Sequence, residues 1–396
     1  MKFEERFEAL CDIAMVDGHA HSLRRLDSEV TGPIFRTAFC ESQERGILER
    51  HLLDSLSYRD FLRNACKVVI EDEECQIHSR MESLGEEMET FYLTKRAEIG
   101  SDRLIERLLA RANISQFLID DGYGGDRQLM LSLEELSAVV ERPVHRVLRI
   151  ETELEDLLGK VGTIQSVVEG IQERVDAGSS IRALKTIAAY RGGLELQTVT
   201  EAEARDELDF LKWRNKGSSS SVRLVGTKMH HYLLGEAFAI AREKQLSVQV
   251  HCGFGDSDLF LDRANPTKMT AVFKDKRYEG VDFVLLHCFP YVKEAAYLAS
   301  VFSSVHLDLS LAPLMVSPAI SQIYREALSV APLSKIMAGT DGHSFPEAYF
   351  YGALSSRKGL AQALASLEEE GYLSEKEGSL YGNRILCENS RELYGI

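Results

Sequence analysis

Short, densely apolar runs recur along the chain, and most close on a glycine or a polar turn. Eight stand out: CDIAMVDGH (11–19), ISQFLIDDG (114–122), VHRVLRIE (144–151), IRALKTIA (181–188), LSVQVHCG (246–253), VDFVLLHC (281–288), SSVHLDLS (303–310) and SKIMAGTDG (334–342). Runs of this length, rich in β-branched residues and leucine, predict strands covered on both faces. Most precede a helical pattern, as in VKEAAYLASVF (292–302). Strands alternating with helices predict a parallel α/β sheet, and eight of them predict a distorted (β/α)8 TIM barrel.

The spacing between the runs is uneven. About ninety residues separate the first from the second. They include RGILERHLLDSLSYRDFLRNACKVV (45–69) and a Glu-, Leu-, Arg- and Met-rich stretch from Glu71 to Arg111, with periodic Leu104, Ile105 and Leu108. That periodicity predicts helices. Because a strand-like run precedes them, we expect one barrel over 1–396 with a helical insertion, 22–112, lying over the barrel mouth. Residues 151–178 predict a helix broken near Gly159. Residues 200–214 and 228–243 predict two helices before the fifth strand, and WRNKGSSSSVRL (213–224) reads as a flexible loop. No internal repeat appears.

Length and composition narrow the picture. The chain has 396 residues, more than the roughly 250 of a bare barrel, which accommodates the insertion. Net charge is −16 with a pI near 5.3, and no basic stripe marks a nucleic-acid surface. No run of 18 apolar residues predicts a membrane span, and the start MKFEERFEALCDIAMVDG lacks the apolar core of a signal peptide. The seven cysteines are scattered without a CxxC pair. A reduced, cytoplasmic setting is the expectation. The expected partner is a small molecule rather than nucleic acid or membrane, and self-association stays open.

Candidate chemistry sits at the ends of the apolar runs. His19 and His21 close the first, His251 the fifth, His287 the sixth and Asp341 the eighth. Imidazole and carboxylate are the common ligands of hydrolytic divalent ions. Two histidines at i and i+2 of a strand point to one side, so His19 and His21 deliver two nitrogens to one place. Asp341 at the end of an apolar run requires pairing or ligation if buried; capping the helix that begins near Pro346 is its alternative. Lys185 lies inside the fourth run, where an ammonium must find water, an anion or a modification. Arg191 follows it in AAYRGGL and suits a carboxylate. Asp120, Asp121 and Glu151 close the second and third runs and could orient histidines or bind substrate. Asp256, Asp258, His343, Glu347, His306 and Asp308 form a second tier. His230 and His231, adjacent on a helix, face different ways.

The chain resembles the amidohydrolase superfamily and, within it, the amidohydrolase 2 group. It looks most like relatives of the N-terminal domain of fungal developmental and nodulin-like proteins fused to a glutamine-synthetase domain. The segments VDGHAHSL (16–23), FLIDDGYG (117–124), ALKTIAAYRGGL (183–194), VQVHCGFGDSDLFLDRANP (248–266), LLHCFPYVKEAAYLASVFSSVHLDLSLAPL (285–314) and AGTDGHSFPEAYFYGA (338–353) carry the likeness. A barrel using the whole length leaves no room for a synthetase domain. The resemblance implies metal ligands at His19, His21, Lys185, His251, His287 and Asp341. It implies one Zn2+ or similar divalent ion, with a second, bridged by a carbamylated Lys185, left open. It further implies Asp341, His287 and His251 as catalytic groups and Arg191, Lys185, Glu151 and Asp121 as substrate contacts. The expected reaction is hydrolysis of an amide-type C–N bond in a small, carboxylate-bearing substrate. Decarboxylation of a small unsaturated acid and a noncatalytic metal-stabilised scaffold are the alternatives.

Overall fold

The computed structural model describes residues 1–25, 30–70, 85–122, 129–160, 162–178, 180–214 and 223–396. Each of the eight apolar runs contains a strand: β1 Met15–Ala20, β2 Ile114–Asp120, β3 Val144–Arg149, β4 Ile181–Thr186, β5 Ser247–Cys252, β6 Phe283–His287, β7 Val305–Asp308 and β8 Ile336–Met337. They form one parallel sheet in sequence order. Across the seam the Gly18 amide donates to the Ala338 carbonyl (3.2 Å) and the Asp341 amide to the His19 carbonyl (2.8 Å). The result is a nearly closed (β/α)8 barrel with helical insertions. Gly18 permits that closure, since a Cβ there would stand 2.9 Å from Asp308 Oδ2 and 3.1 Å from the Ala338 carbonyl.

Two apolar layers hold the barrel. Val16, Leu118, Val147, Ala183, Val284, Leu286 and Met337 pack inside it, with Cys387 and Tyr394 from the C-terminal segment against them. The opposite faces of the strands pack on the surrounding helices. Each fully buried aliphatic side chain contributes about 1.5–3 kcal/mol, so a strand with no exposed residue, such as β5 or β6, is strongly fixed in register. That rigidity places the residues at its C-terminal end.

Between β1 and β2 lie helices Gly32–Arg36, Leu56–Val69, Gly85–Ile99 and Ser101–Ala112. The last packs against the long helix Pro346–Glu369, burying Leu104, Ile105 and Leu108 as their spacing predicts. An aromatic layer ties the others to that long helix. Phe39 stacks on Phe61 (centroids 3.9 Å), Phe61 meets Tyr351 (5.5 Å), and Phe35 meets Phe345 (5.3 Å). Tyr92 and Arg96 both donate to Glu347 Oε1, at 2.9 and 2.6 Å. Glu347 is therefore an anchor for the insertion.

Several boundaries differ from the sequence reading. The third run ends early: β3 stops at Arg149 and helix Ile150–Lys160 begins without an intervening turn, so Glu151 is in a first helical turn. Residues 151–178 form two helices, Ile150–Lys160 and Ile164–Ala177, with the break near Gly159 as expected. Helices Glu201–Arg214 and Lys228–Lys244 stand as expected. Most of the linker-like stretch, 215–222, falls outside the described residues, as do 71–84 and Tyr123. Among the described residues, no helix is long and apolar enough to cross a membrane.

Candidate metal centre

His19, on β1, and His21, just beyond it, converge on Asp341. Their Nε2 atoms lie 3.3 and 3.2 Å from Asp341 Oδ1, and suitable donor atoms of all three fall within 4.8 Å of one another. The loop after β8 aims the carboxylate. Asp341 has φ 54°, a conformation rare outside glycine and held here by the hydrogen bond of its amide to His19. Strain of this kind concentrates at functional sites. The helix-capping alternative fails: helix Pro346–Glu369 has Phe345 at its N-cap and no side-chain cap.

Hydrogen bonds fix the histidine tautomers. Gln249 Nε2 donates to the Gly18 carbonyl (2.8 Å) and the Tyr394 hydroxyl oxygen (2.9 Å). Its Oε1 must then accept from His19 Nδ1, 2.8 Å away. His21 Nδ1 likewise donates to the Asp120 carbonyl (2.9 Å). The Nε2 atoms of both rings are thereby turned toward Asp341. Burial, followed by the Lys185 charge, pushes His19 down to about 3, so its ring is neutral near pH 7. Asp341 is held well below the usual carboxylate range: burial opposes this, but His287, His19 and His21 outweigh it. Its Oδ1 is buried and has no hydrogen-bond donor. Two imidazole nitrogens and a carboxylate oxygen converging in this way form a donor set suited to a divalent cation.

Lys185 reaches the same place from β4. Its Nζ lies 2.8 Å from His19 Nε2 and 3.1 Å from Asp120 Oδ2. Arg149 clamps Asp120 at 2.6 and 2.9 Å. Burial lowers the Lys185 pKa, with Asp120 acting against it. His287, with φ 66° at the end of β6, places Nδ1 3.0 Å from Ser310 Oγ and 3.8 Å from Asp341 Oδ2. Burial brings it down to about 4. The His251 ring sits 4.5 Å from that of His287. Its Nε2 lies 3.1 Å from the Phe254 carbonyl, which requires an Nε2 proton and leaves the lone pair on Nδ1.

A cavity of about 820 Å³ opens onto this cluster, bordered by His21, Lys185, His251, His287 and Asp341, and by Arg191. Arg191 pairs with Glu155 at 3.3 Å. His343, Asp256 and Asp258 also line the cavity. The other predicted residues lie elsewhere. Glu151 accepts from Thr186 Oγ1 (2.5 Å) and the Ile187 amide (3.0 Å), with His230 3.5 Å away, and so pins the end of β4. Asp121 pairs with Arg146 at 2.9 Å and borders a different cavity. His306 pairs with Asp282 at 3.2 Å. Asp308 turns inward beneath Gly18 and Gly339.

Gln249, Arg149, Tyr394 and Glu41 escaped the sequence reading. Gln249 carried a signal, since it shares a strand face with His251 two residues on. Nothing local distinguishes the other three.

Residues 219–396 match the amidohydrolase 2 family model, described as Amidohydrolase. Over this segment, a little under half of the chain, the sequence is similar to the amidohydrolase family. A curated relative, the protein fluG of Emericella nidulans, is 28% identical over 228 residues, 56% of this chain and 26% of its own length. The chain thus spans about a quarter of that protein. The crystal structure of a Lactobacillus casei protein assigned as a metal-dependent hydrolase superposes with a TM-score of 0.84 and 25% identity, covering 98% of this chain and 96% of that one. A uronate isomerase from Thermotoga maritima, 11% identical with a TM-score of 0.64 over 99% of this chain and 97% of its own, shares the fold.

Proposed function

We propose that this protein is a metal-dependent hydrolase that cleaves an amide-type C–N bond in a small substrate. The observation carrying the proposal is the convergence of His19 Nε2, His21 Nε2 and Asp341 Oδ1 beside a cavity that His21 and Asp341 line. Those three residues would hold one zinc or similar divalent ion. Such an ion supplies Lewis acidity toward the scissile carbonyl and brings a bound water's pKa toward neutrality. Asp341 is ionised at neutral pH, and its Oδ2 would accept the proton of the attacking water and return it to the leaving nitrogen. His287 faces that oxygen and, with His251, would stabilise developing negative charge on the carbonyl oxygen. Lys185 would remain a cation on Asp120; carbamylation would instead make it a bridge for a second ion. Arg191, whose Nε lacks a partner, would hold a substrate carboxylate beside the cavity.

The helical insertion would form part of the cavity roof, since Thr37, Cys40, Glu41 and Leu48 line it. The assignment of the Lactobacillus casei protein supports the hydrolytic reading. Incubating zinc-loaded protein with a panel of N-acyl amino acids and γ-glutamyl amides tests it. Metal-dependent release of amine is expected. Release of carbon dioxide from small unsaturated acids, with no amine from the panel, would reassign the site to decarboxylation.

A further inference from the structure

The charges around the cavity are unevenly matched. Each described cation that lines it already has a carboxylate beside it. Lys185 lies 3.1 Å and Arg149 2.6 Å from Asp120, Arg191 lies 3.3 Å from Glu155, and Arg223 lies 3.6 Å from Asp258. Two carboxylates that line the same cavity, Glu41 and Asp256, have no cation within ion-pair reach among the described residues. Asp258 donates its amide to Asp256 (2.9 Å), whereas Glu41 has no side-chain hydrogen bond among the described residues. Glu41 comes from the β1–β2 insertion and Asp256 from the loop after His251, yet Glu41 feels the negative charges of both Asp341 and Asp256. Tyr190 joins them: its hydroxyl accepts from the Asp256 amide (3.3 Å), and its ring lies 4.6 Å from that of His251. The two acids and the metal cluster thus face one space.

We infer that Glu41, assisted by Asp256, binds a protonated amine of the substrate, so that the molecule hydrolysed carries an ammonium within reach of its scissile amide. The inference rests on the hydrolytic reading above and narrows its substrate class. A carboxylate partly withdrawn from water without a partner is costly, and a cation relieves that cost. Burial, followed by the repulsion of Asp341 and Asp256, raises the Glu41 pKa to about 8, the behaviour of an acid lacking its counter-ion. Glu41 lies outside the group of donor atoms that converge at His19, His21 and Asp341, which points to an organic cation rather than the metal as its partner. An acidic clamp beside Arg191 would make the site selective for a molecule bearing both charges, as amino-acid amides do.

The test uses zinc-loaded protein and p-nitroanilides that differ only in the amine. L-alanyl-, β-alanyl- and γ-L-glutamyl-p-nitroanilide are set against propionyl- and glutaryl-p-nitroanilide. Binding is read by calorimetric titration and hydrolysis by release of nitroaniline. At least one amine-bearing compound is expected to bind about tenfold or more tighter than its des-amino partner, as one charge-assisted hydrogen bond would provide. Glu41→Gln should bring that ratio close to one, and Asp256→Asn should reduce it less. Equal affinity within every pair, no binding by any compound, or an undiminished ratio in Glu41→Gln would overturn the inference. Amine-dependent binding with hydrolysis of none would remove the hydrolytic reading and leave the ammonium site standing.

Discussion

Replacing Gln249 probes how the barrel prepares its ligand. In Gln249→Met a side chain of similar length loses all three of its hydrogen bonds, to His19 Nδ1, the Gly18 carbonyl and the Tyr394 hydroxyl. All three partners are buried. A buried polar group left unpaired costs about 1–3 kcal/mol, and partial re-pairing among the three brings the expected loss of stability to about 3–5 kcal/mol. His19 also loses the acceptor that keeps its proton on Nδ1. Removing such an outer contact weakens metal binding by about 10–100-fold, or about 1.4–2.7 kcal/mol. Tyr394→Phe is the informative companion, because it removes one bond and leaves the Gln249–His19 contact in place. It should cost about 1 kcal/mol and shift metal affinity by less than about threefold. Urea unfolding of the metal-free proteins reads the first quantity, and chelator-competition titration with zinc reads the second. A Gln249→Met protein that is folded and binds zinc as tightly as the wild type would refute this account of His19.

Three further outcomes follow from the same geometry. Asp341→Asn, if it retains metal, should lower turnover by about 10²–10⁴-fold; turnover at the wild-type rate would remove the proton-transfer role. Arg191→Ala should raise KM for carboxylate-bearing substrates more than it lowers kcat, and an unchanged KM would argue against an anion contact. Asp120 gives a pH signature. Burial would raise its pKa, but Arg149 and Lys185 hold it well below the usual range; its stabilisation is therefore complete above an unfolded value near about 3.9 and is lost as pH falls through the folded value. Arg149→Met should move the acid-unfolding midpoint to higher pH, and an unmoved midpoint would contradict the pairing.

The strands and their ligand-bearing ends were legible because both faces of each strand are buried and the chemistry sits where the apolar run stops. His19, His21 and Asp341 could be found this way. Glu151 was misplaced because helix Ile150–Lys160 starts directly at the end of β3, so the apolar pattern crosses the boundary unbroken. Its carboxylate serves the backbone of β4, a role that spacing along the chain does not encode. Glu41 and Tyr394 reach the cavity and Gln249 through tertiary packing alone. One is carried in by an aromatic-anchored insertion, the other by a C-terminal helix packed into the barrel interior.

The central claim is that His19, His21 and Asp341 hold a catalytic metal ion. It is tested most directly by metal analysis of zinc-loaded, exhaustively dialysed protein, wild type beside the His19→Ala/His21→Ala double variant. Loss of two of the three converging donors should abolish tight binding. The account predicts about one equivalent of zinc in the wild type and almost none in a folded double variant. Equal zinc content in the two proteins would contradict it.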